Sequence, residues 1–198
     1  MRAQDIMSRP VVTVTPETPA KRAAELLSSH GFTALPVTDD DDLLVGIVTE
    51  ADLIGDRIPP DPRARDRAHP PAGDTVGDVM TSPATGMSPG CDVAELSRAL
   101  LDSRIRAMPI VDGGRVVGIV TRGDIVRTFA RDDAEIAADV RRHLSIYGGP
   151  DRWQVECKDG VVRILDEFDN ATDRHVATVL AEAVPGVVSA ETLAGNRE

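Results

Sequence analysis

The feature that most constrains this chain is a pattern written twice. Asp5-Ile6-Met7 opens one copy and Asp78-Val79-Met80 the other, and the copies close on Gly46-Ile47-Val48-Thr49-x-x-Asp52 and Gly118-Ile119-Val120-Thr121-x-x-Asp124. Met7 and Met80, Pro10 and Pro83, Pro16 and Pro89, and Pro36 and Pro109 lie 73 positions apart, whereas Gly46 and Gly118, and Asp52 and Asp124, lie 72 apart. The one-residue difference falls between residues 38–44 and 111–116, where acidic residues and glycines mark a turn that absorbs an insertion. A repeat of this length predicts two stacked copies of one supersecondary unit, with any site occurring twice at the seam between them.

Within each copy the periodicity changes in a fixed order. A short apolar arm, residues 11–14 or 84–87, follows a Met-Ser/Thr-x-Pro entry. Thr18-Pro19 then predicts a capped helix with proline at its first position, Ala23, Leu26 and Leu27 form its apolar face, and Gly31 stops it. Val93, Leu96, Ala99 and Leu100 repeat that face in the second copy. Strands are predicted over residues 33–37 and 106–111. Second strands follow over 44–48 and 116–120, rich enough in β-branched residues to suit burial on both faces. Each leads into another helix, so the expected unit is β-α-β-β-α.

Residues 55–74 hold five prolines among arginines and aspartates and read as a solvated connector. Past Phe129 the pattern changes again. Ile136, Val140 and Leu144 give a helix, Trp153-x-Val155-x-Cys157 alternates as a strand, and Asp159-Gly160 signals a two-residue hairpin. A strand over 161–165, a helix carrying Val176, Val179, Leu180 and Ala183, a stop at Pro185-Gly186 and a last strand over 187–193 complete an α-β-β-α-β module. The expected fold class is therefore α/β: two repeats in a pseudo-twofold pair and a small α+β domain. The expected boundaries are 1–56, a linker 57–73, 74–130 and 131–195.

With 41% hydrophobic and 28% charged residues the composition is that of a globular chain. A net charge of −11 without a basic patch opposes binding to nucleic acid. Neither a signal-like segment nor a run of about 18 apolar residues is present, and a cytoplasmic protein is expected. Cys91 and Cys157 have no metal-ligand spacing and read as ordinary thiols. Asp39 to Asp42 lack the alternating ligands of a calcium loop and read as a hairpin turn. His30, His69, His143 and His175 are scattered without a relay spacing, and Trp153 reads as a core residue. No paired acid and base or activated nucleophile is visible, so the chain is not expected to be an enzyme.

The two Thr-x-x-Asp endings have a structural explanation, since a threonine with an acid three positions on is a capping box. A helix start also offers amide donors to a phosphate, and a carboxylate one turn in can accept ribose hydroxyls. The two roles are compatible, and duplication of the motif behind two apolar strands favours a matched pair of sites.

Together, the Asp-Ile-Met-Ser and Asp-Val-Met-Thr entries, Leu35-Pro36-Val37, Met108-Pro109-Ile110-Val111-Asp112 and both closing motifs resemble a tandem pair of CBS domains, a Bateman module, over residues 1–129. The resemblance implies an adenosyl ligand, AMP, ADP, ATP or S-adenosylmethionine, with Asp52 and Asp124 on the ribose and Thr49 and Thr121 near the phosphate. It also places Thr33 and Arg106, three positions before the prolines, toward the phosphates. Arg122 is a further phosphate partner, matched in the first copy by Glu50, so the two sites need not be equivalent; both arginines read otherwise as solvated surface residues. Such pairs commonly form homodimers.

Residues 131–195 resemble a BON domain through their element order, Asp159-Gly160-Val161-Val162 and Val184-Pro185-Gly186-Val187-Val188. They depart from it at Leu165-Asp166-Glu167-Phe168-Asp169, where a Leu-x-Gly turn is expected. BON domains are associated with phospholipid or envelope attachment. Residues 131–198 carry 8 Lys/Arg against 14 Asp/Glu, a net charge of −6 that opposes an anionic lipid surface and points to a protein or self contact. The expected function is a regulatory sensor acting on a protein target. The alternative is an interaction or envelope-associated scaffold whose pair has lost its ligand.

Overall fold

The computed structural model describes residues 1–55, 73–168 and 170–195. The connector expected over 55–74 lies, apart from its ends, outside the described residues, as do His69 and Asp169. In chain order the elements are α1 (Ala3–Ile6), α2 (Ala20–His30), β1 (Ala34–Thr38), β2 (Leu44–Thr49), α3 (Glu50–Ile54), α4 (Val76–Val79), α5 (Val93–Asp102), β3 (Ala107–Asp112), β4 (Arg115–Thr121), α6 (Arg122–Phe129), α7 (Asp133–Gly148), β5 (Trp153–Lys158), β6 (Val161–Asp166), α8 (Ala171–Glu182) and β7 (Ser189–Ala194). By its contacts the chain divides into two units, Met7–Arg122 and Met1–Ile6 with Gly123–Glu198.

In the first unit each repeat contributes one antiparallel hairpin, β1 with β2 and β3 with β4. The first strand of the expected unit is reduced to an extended arm that makes single parallel bridges, Val14 to Val37 and Met87 to Ile110. Short helices at the two Asp-x-Met entries, α1 and α4, are additions that sequence periodicity does not reveal, because four residues are barely one turn. Helix α2 corrects the expected cap. Pro19 occupies the N-cap itself without a side-chain bond, and Thr18 Oγ1 instead accepts from Thr15 N at 3.0 Å. The Ala20 amide bonds to Asp74 O at 2.9 Å, so the second copy's entry satisfies a group that a side chain usually would. Gly31 ends the helix in the left-handed region at φ 66°, as expected.

The repeats interlock crosswise. Ser8 exchanges backbone bonds with Ile119 (2.9 and 3.3 Å), and Thr81 exchanges them with Ile47 (2.9 and 3.0 Å). Each entry segment thus pairs with the closing strand of the other copy. Gly46 and Gly118 are buried beneath the facing methionines: a Cβ on Gly118 would stand 2.5 Å from Met7 Sδ, and one on Gly46 would stand 2.6 Å from Met80 Sδ. Val76, Val79 and Met80 accordingly join the core of the first repeat with Val14, Ala23, Leu27, Leu35, Val37 and Val48. The second strands are not buried on both faces as expected. In β2 only Gly46 and Val48 are buried, and in β4 only Gly118 and Val120, since each sheet has two strands and one entry segment over it.

In the second unit, helices α7 and α8 pack on a sheet of order β5-β6-β7, antiparallel at its first pair and parallel at its second. The element order is the expected α-β-β-α-β. Asp159 (φ 51°) and Gly160 (φ 74°) form the two-residue turn, and the Asp133 carboxylate accepts from both amides (2.8 and 3.0 Å). Ile136, Val140, Leu144 and Trp153 are buried in its core. Helix α8 turns differently from the expected face. Within it Ala177 and Ala181 are buried and Leu180, of the expected face, packs partly buried on the same core, while Val179 is exposed; Val184, just past the helix, is buried as well.

Candidate functional site

Each closing motif sits where a hairpin strand gives way to a helix. Thr49 is extended at φ −119°, ψ 169°, and caps α3 reciprocally with Asp52. Thr49 N and Oγ1 donate to Asp52 Oδ2 at 2.8 and 2.7 Å, and Asp52 N reaches Thr49 Oγ1 at 3.4 Å. The capping-box reading is therefore present in the structure, and Asp52 remains half-buried. Thr75 and Asp78 make the same box at α4, which the sequence reading missed although the Thr-x-x-Asp spacing is its signal.

Beside each helix start the chain crosses the beginning of the preceding strand. Glu50 N bonds to Thr33 O at 3.4 Å, and Arg122 N bonds to Arg106 O at 3.1 Å. These two pairs are equivalents in the repeat, so the structure brings Thr33 to Glu50 and Arg106 to Arg122. Arg106 is exposed, as is Glu50. Arg122 is not the solvated surface arginine of the alternative reading: it is half-buried and Nη2 donates to Leu100 O near the end of α5 at 2.8 Å. Thr33 Oγ1 and Arg122 Nε are both buried with no hydrogen-bond partner. One polar atom in each pair is thus left unsatisfied, at a cost of about 1–3 kcal/mol for each such atom unless a partner arrives.

Asp124 differs from Asp52. It is 5% exposed, and its Oδ1 accepts from Arg127 Nη1 at 2.8 Å, while the arginine side chain is 75% exposed. Thr121, at the end of β4, is half-buried.

Other candidates resolve into structural roles. Asp39 Oδ1 accepts from Asp41 N and Leu43 N at 3.0 and 2.9 Å and so folds the acidic turn. Trp153 is a core residue, and Arg152 lies 4.3 Å above its ring. The sequence reading passed over the fully buried Asp166, held by Arg152 Nε and Nη2 at 2.7 and 2.9 Å; its place two residues past Ile164 on the inward face of β6 was the available signal. Burial raises the Asp166 carboxyl, but the Arg152 guanidinium and the Phe168 amide more than offset it and hold the pKa below the usual range. Among the described residues no group of three or more His, Cys, Asp or Glu could hold a metal ion, and no helix is long and apolar enough to cross a membrane.

Comparison with known proteins agrees with this geometry. The CBS domain model matches residues 3–57 and 76–131, a little over half of the chain. Inosine-5'-monophosphate dehydrogenase of Thermoplasma acidophilum is 30% identical over 199 residues, which take in 98% of this chain and 38% of that enzyme, so the chain spans well under half of the relative's length. The crystal structure of CBSX2 of Arabidopsis thaliana in complex with AMP is 32% identical, with a TM-score of 0.56 over 64% of this chain and 94% of that one. The CBS domain pair of protein MJ0100, in complex with 5'-methylthioadenosine and S-adenosyl-L-methionine, is 27% identical, with a TM-score of 0.55 over 66% of this chain and 96% of that one. With two matched copies interlocked through their own motifs, the chain belongs to the CBS domain family as a tandem pair.

Proposed function

We propose that this chain is a non-enzymatic regulatory protein whose CBS pair takes an adenosyl ligand, of which AMP, ADP, ATP and S-adenosylmethionine are the candidates. Asp52 and Asp124 receive the ribose hydroxyls, Thr49 and Thr121 lie near the phosphate, and Thr33, Arg106 and Arg122 lie on the phosphate side. The observation that carries this reading is that each of the two equivalent contacts, Thr33 with Glu50 and Arg106 with Arg122, holds one buried unsatisfied polar atom, Thr33 Oγ1 in the first and Arg122 Nε in the second. The two atoms sit on opposite sides of equivalent contacts, which suits two ligand subsites that differ in detail. The AMP complex of CBSX2 and the 5'-methylthioadenosine and S-adenosylmethionine complex of MJ0100 support the same ligand class.

In this reading the ligand acts by its differential affinity for two arrangements of the protein, which is the only way occupancy can become a signal. The C-terminal module is read as BON-like and as the part that meets a protein target, its acidic surface opposing lipid. A cytoplasmic homodimer is the working assembly. Calorimetric titration with the four ligands tests the proposal. Saturable binding with a defined stoichiometry per chain is expected, and absence of heat and of a thermal shift from all four refutes it, leaving the scaffold reading.

A further inference from the structure

The two equivalent contacts of the pair carry opposite charge. In the first copy Glu50 N bonds to Thr33 O at 3.4 Å, and in the second Arg122 N bonds to Arg106 O at 3.1 Å. One contact thus joins a hydroxyl residue to a carboxylate residue, and the other joins two arginines. Places that the repeat makes equivalent differ by three elementary charges, one negative against two positive. All four residues belong to a single unit, Met7–Arg122.

Two like charges on residues held together by a backbone bond repel each other unless an anion lies between them. Among the described residues neither Arg106 nor Arg122 is in an ion pair, although the chain has 33 acidic residues. Arg122 Nη2 donates to Leu100 O at 2.8 Å, whereas its Nε is buried with no acceptor. A buried guanidinium N–H without an acceptor, beside a second unpaired guanidinium, is completed by an oxyanion. The first copy offers the reverse. Its unsatisfied atom is Thr33 Oγ1, a neutral group able to donate or accept, and the charge beside it is the exposed Glu50 carboxylate, which repels an anion.

We infer that the two copies take different ligands: the contact of Arg106 with Arg122 holds the phosphate of an adenosyl nucleotide, and the contact of Thr33 with Glu50 holds an adenosyl ligand whose 5' substituent carries no net negative charge, a cationic one being favoured. The inference rests on the adenosyl reading above and narrows it. In the first copy the Thr33 hydroxyl bonds to the substituent and Glu50 attracts its positive end. In the second the guanidiniums neutralise the phosphate. The pair therefore answers to two ligands of opposite charge, each shifting the protein by its own differential affinity.

The test is calorimetry on the full chain with AMP and S-adenosylmethionine, added singly and then in succession. One AMP per chain is expected, and protein saturated with AMP should still take up S-adenosylmethionine. Arg106 and Glu50 are both exposed, so charge reversal at either should leave the fold intact. Arg106→Glu should weaken AMP on the order of tenfold and leave S-adenosylmethionine within twofold. Glu50→Arg should add a second AMP per chain and weaken S-adenosylmethionine by a similar factor. Both shifts should shrink at high salt. If the wild type binds only one of the two ligands, binds two AMP per chain, or loses AMP as S-adenosylmethionine is added, the inference is overturned and the adenosyl reading survives. The same follows if neither variant changes either affinity by twofold. If AMP, ADP, ATP and S-adenosylmethionine all fail to bind, that reading and this inference fall together.

Discussion

Replacing Gly118 with alanine tests the crosswise interlock directly. The new Cβ would stand 2.5 Å from Met7 Sδ, 2.9 Å from Cγ and 3.2 Å from Cβ. Ordinary carbon contacts are about 3.5–4.0 Å, so the methionine must withdraw by roughly 1 Å. Rotation about its outer bonds clears Sδ but not the atoms nearer the backbone, and the entry segment is pinned by the two Ser8–Ile119 bonds. Overpacking of this kind costs about 1–3 kcal/mol, offset by the roughly 0.5–1 kcal/mol that alanine gains over glycine within a strand. A net loss of about 1–2 kcal/mol follows, seen in urea unfolding followed by far-ultraviolet circular dichroism. In the Met7→Ala background the Sδ and Cγ clashes are gone and only the 3.2 Å contact with the residue 7 Cβ remains, so Gly118→Ala should be close to neutral. The cycle should therefore show a coupling of about 1–3 kcal/mol. Strictly additive effects of the two substitutions would refute the packing of Met7 on Gly118.

Arg152→Ala strands the fully buried Asp166 carboxylate and should destabilise the C-terminal module by about 3–5 kcal/mol, read from the fluorescence of the sole tryptophan, Trp153; adding Asp166→Asn should recover much of the loss. Asp166 and Asp173 both titrate below the usual carboxylate range, so the stability they confer is present above about pH 4 and is lost as pH falls through their folded values. Acid titration of Asp166→Asn/Asp173→Asn should lack that loss. Burial, then the Asp133 carboxylate, push the Cys157 thiol up to about 11, so at pH 8 it should alkylate roughly a hundredfold more slowly than a free cysteine, accelerating about tenfold per pH unit. Asp52→Ala removes a capping box and should cost about 1 kcal/mol without ligand, and on the proposed reading it should also weaken adenosyl binding at the first site.

Much of what depends on neighbours a few residues apart was legible in the chain itself, the Thr75 to Asp78 box and the cap of α2 being exceptions. The duplication, the two hairpins, the left-handed stop at Gly31, the Asp159-Gly160 turn and the Thr49 to Asp52 box all follow from local dihedral preferences and short hydrogen bonds. The candidate site residues were legible as motifs for the same reason. The partner each motif would find was not. Met7 has Gly46 in its own copy and Gly118 in the other, and the two glycines share the same surroundings in sequence, so no local preference separates self-pairing from cross-pairing. Tertiary closure decided it, seating Met7 on Gly118 and Met80 on Gly46. Closure likewise decided which face of α8 is buried, since a helix of mixed small and branched residues offers more than one apolar stripe, and it left Asp124 buried against Arg127 while Asp52, identical in motif, stayed half-buried. Sequence specifies the period and the chemistry of each repeat, including the Glu50 and Arg122 difference, whereas the burial of two identical motif residues is decided by what each copy is packed against.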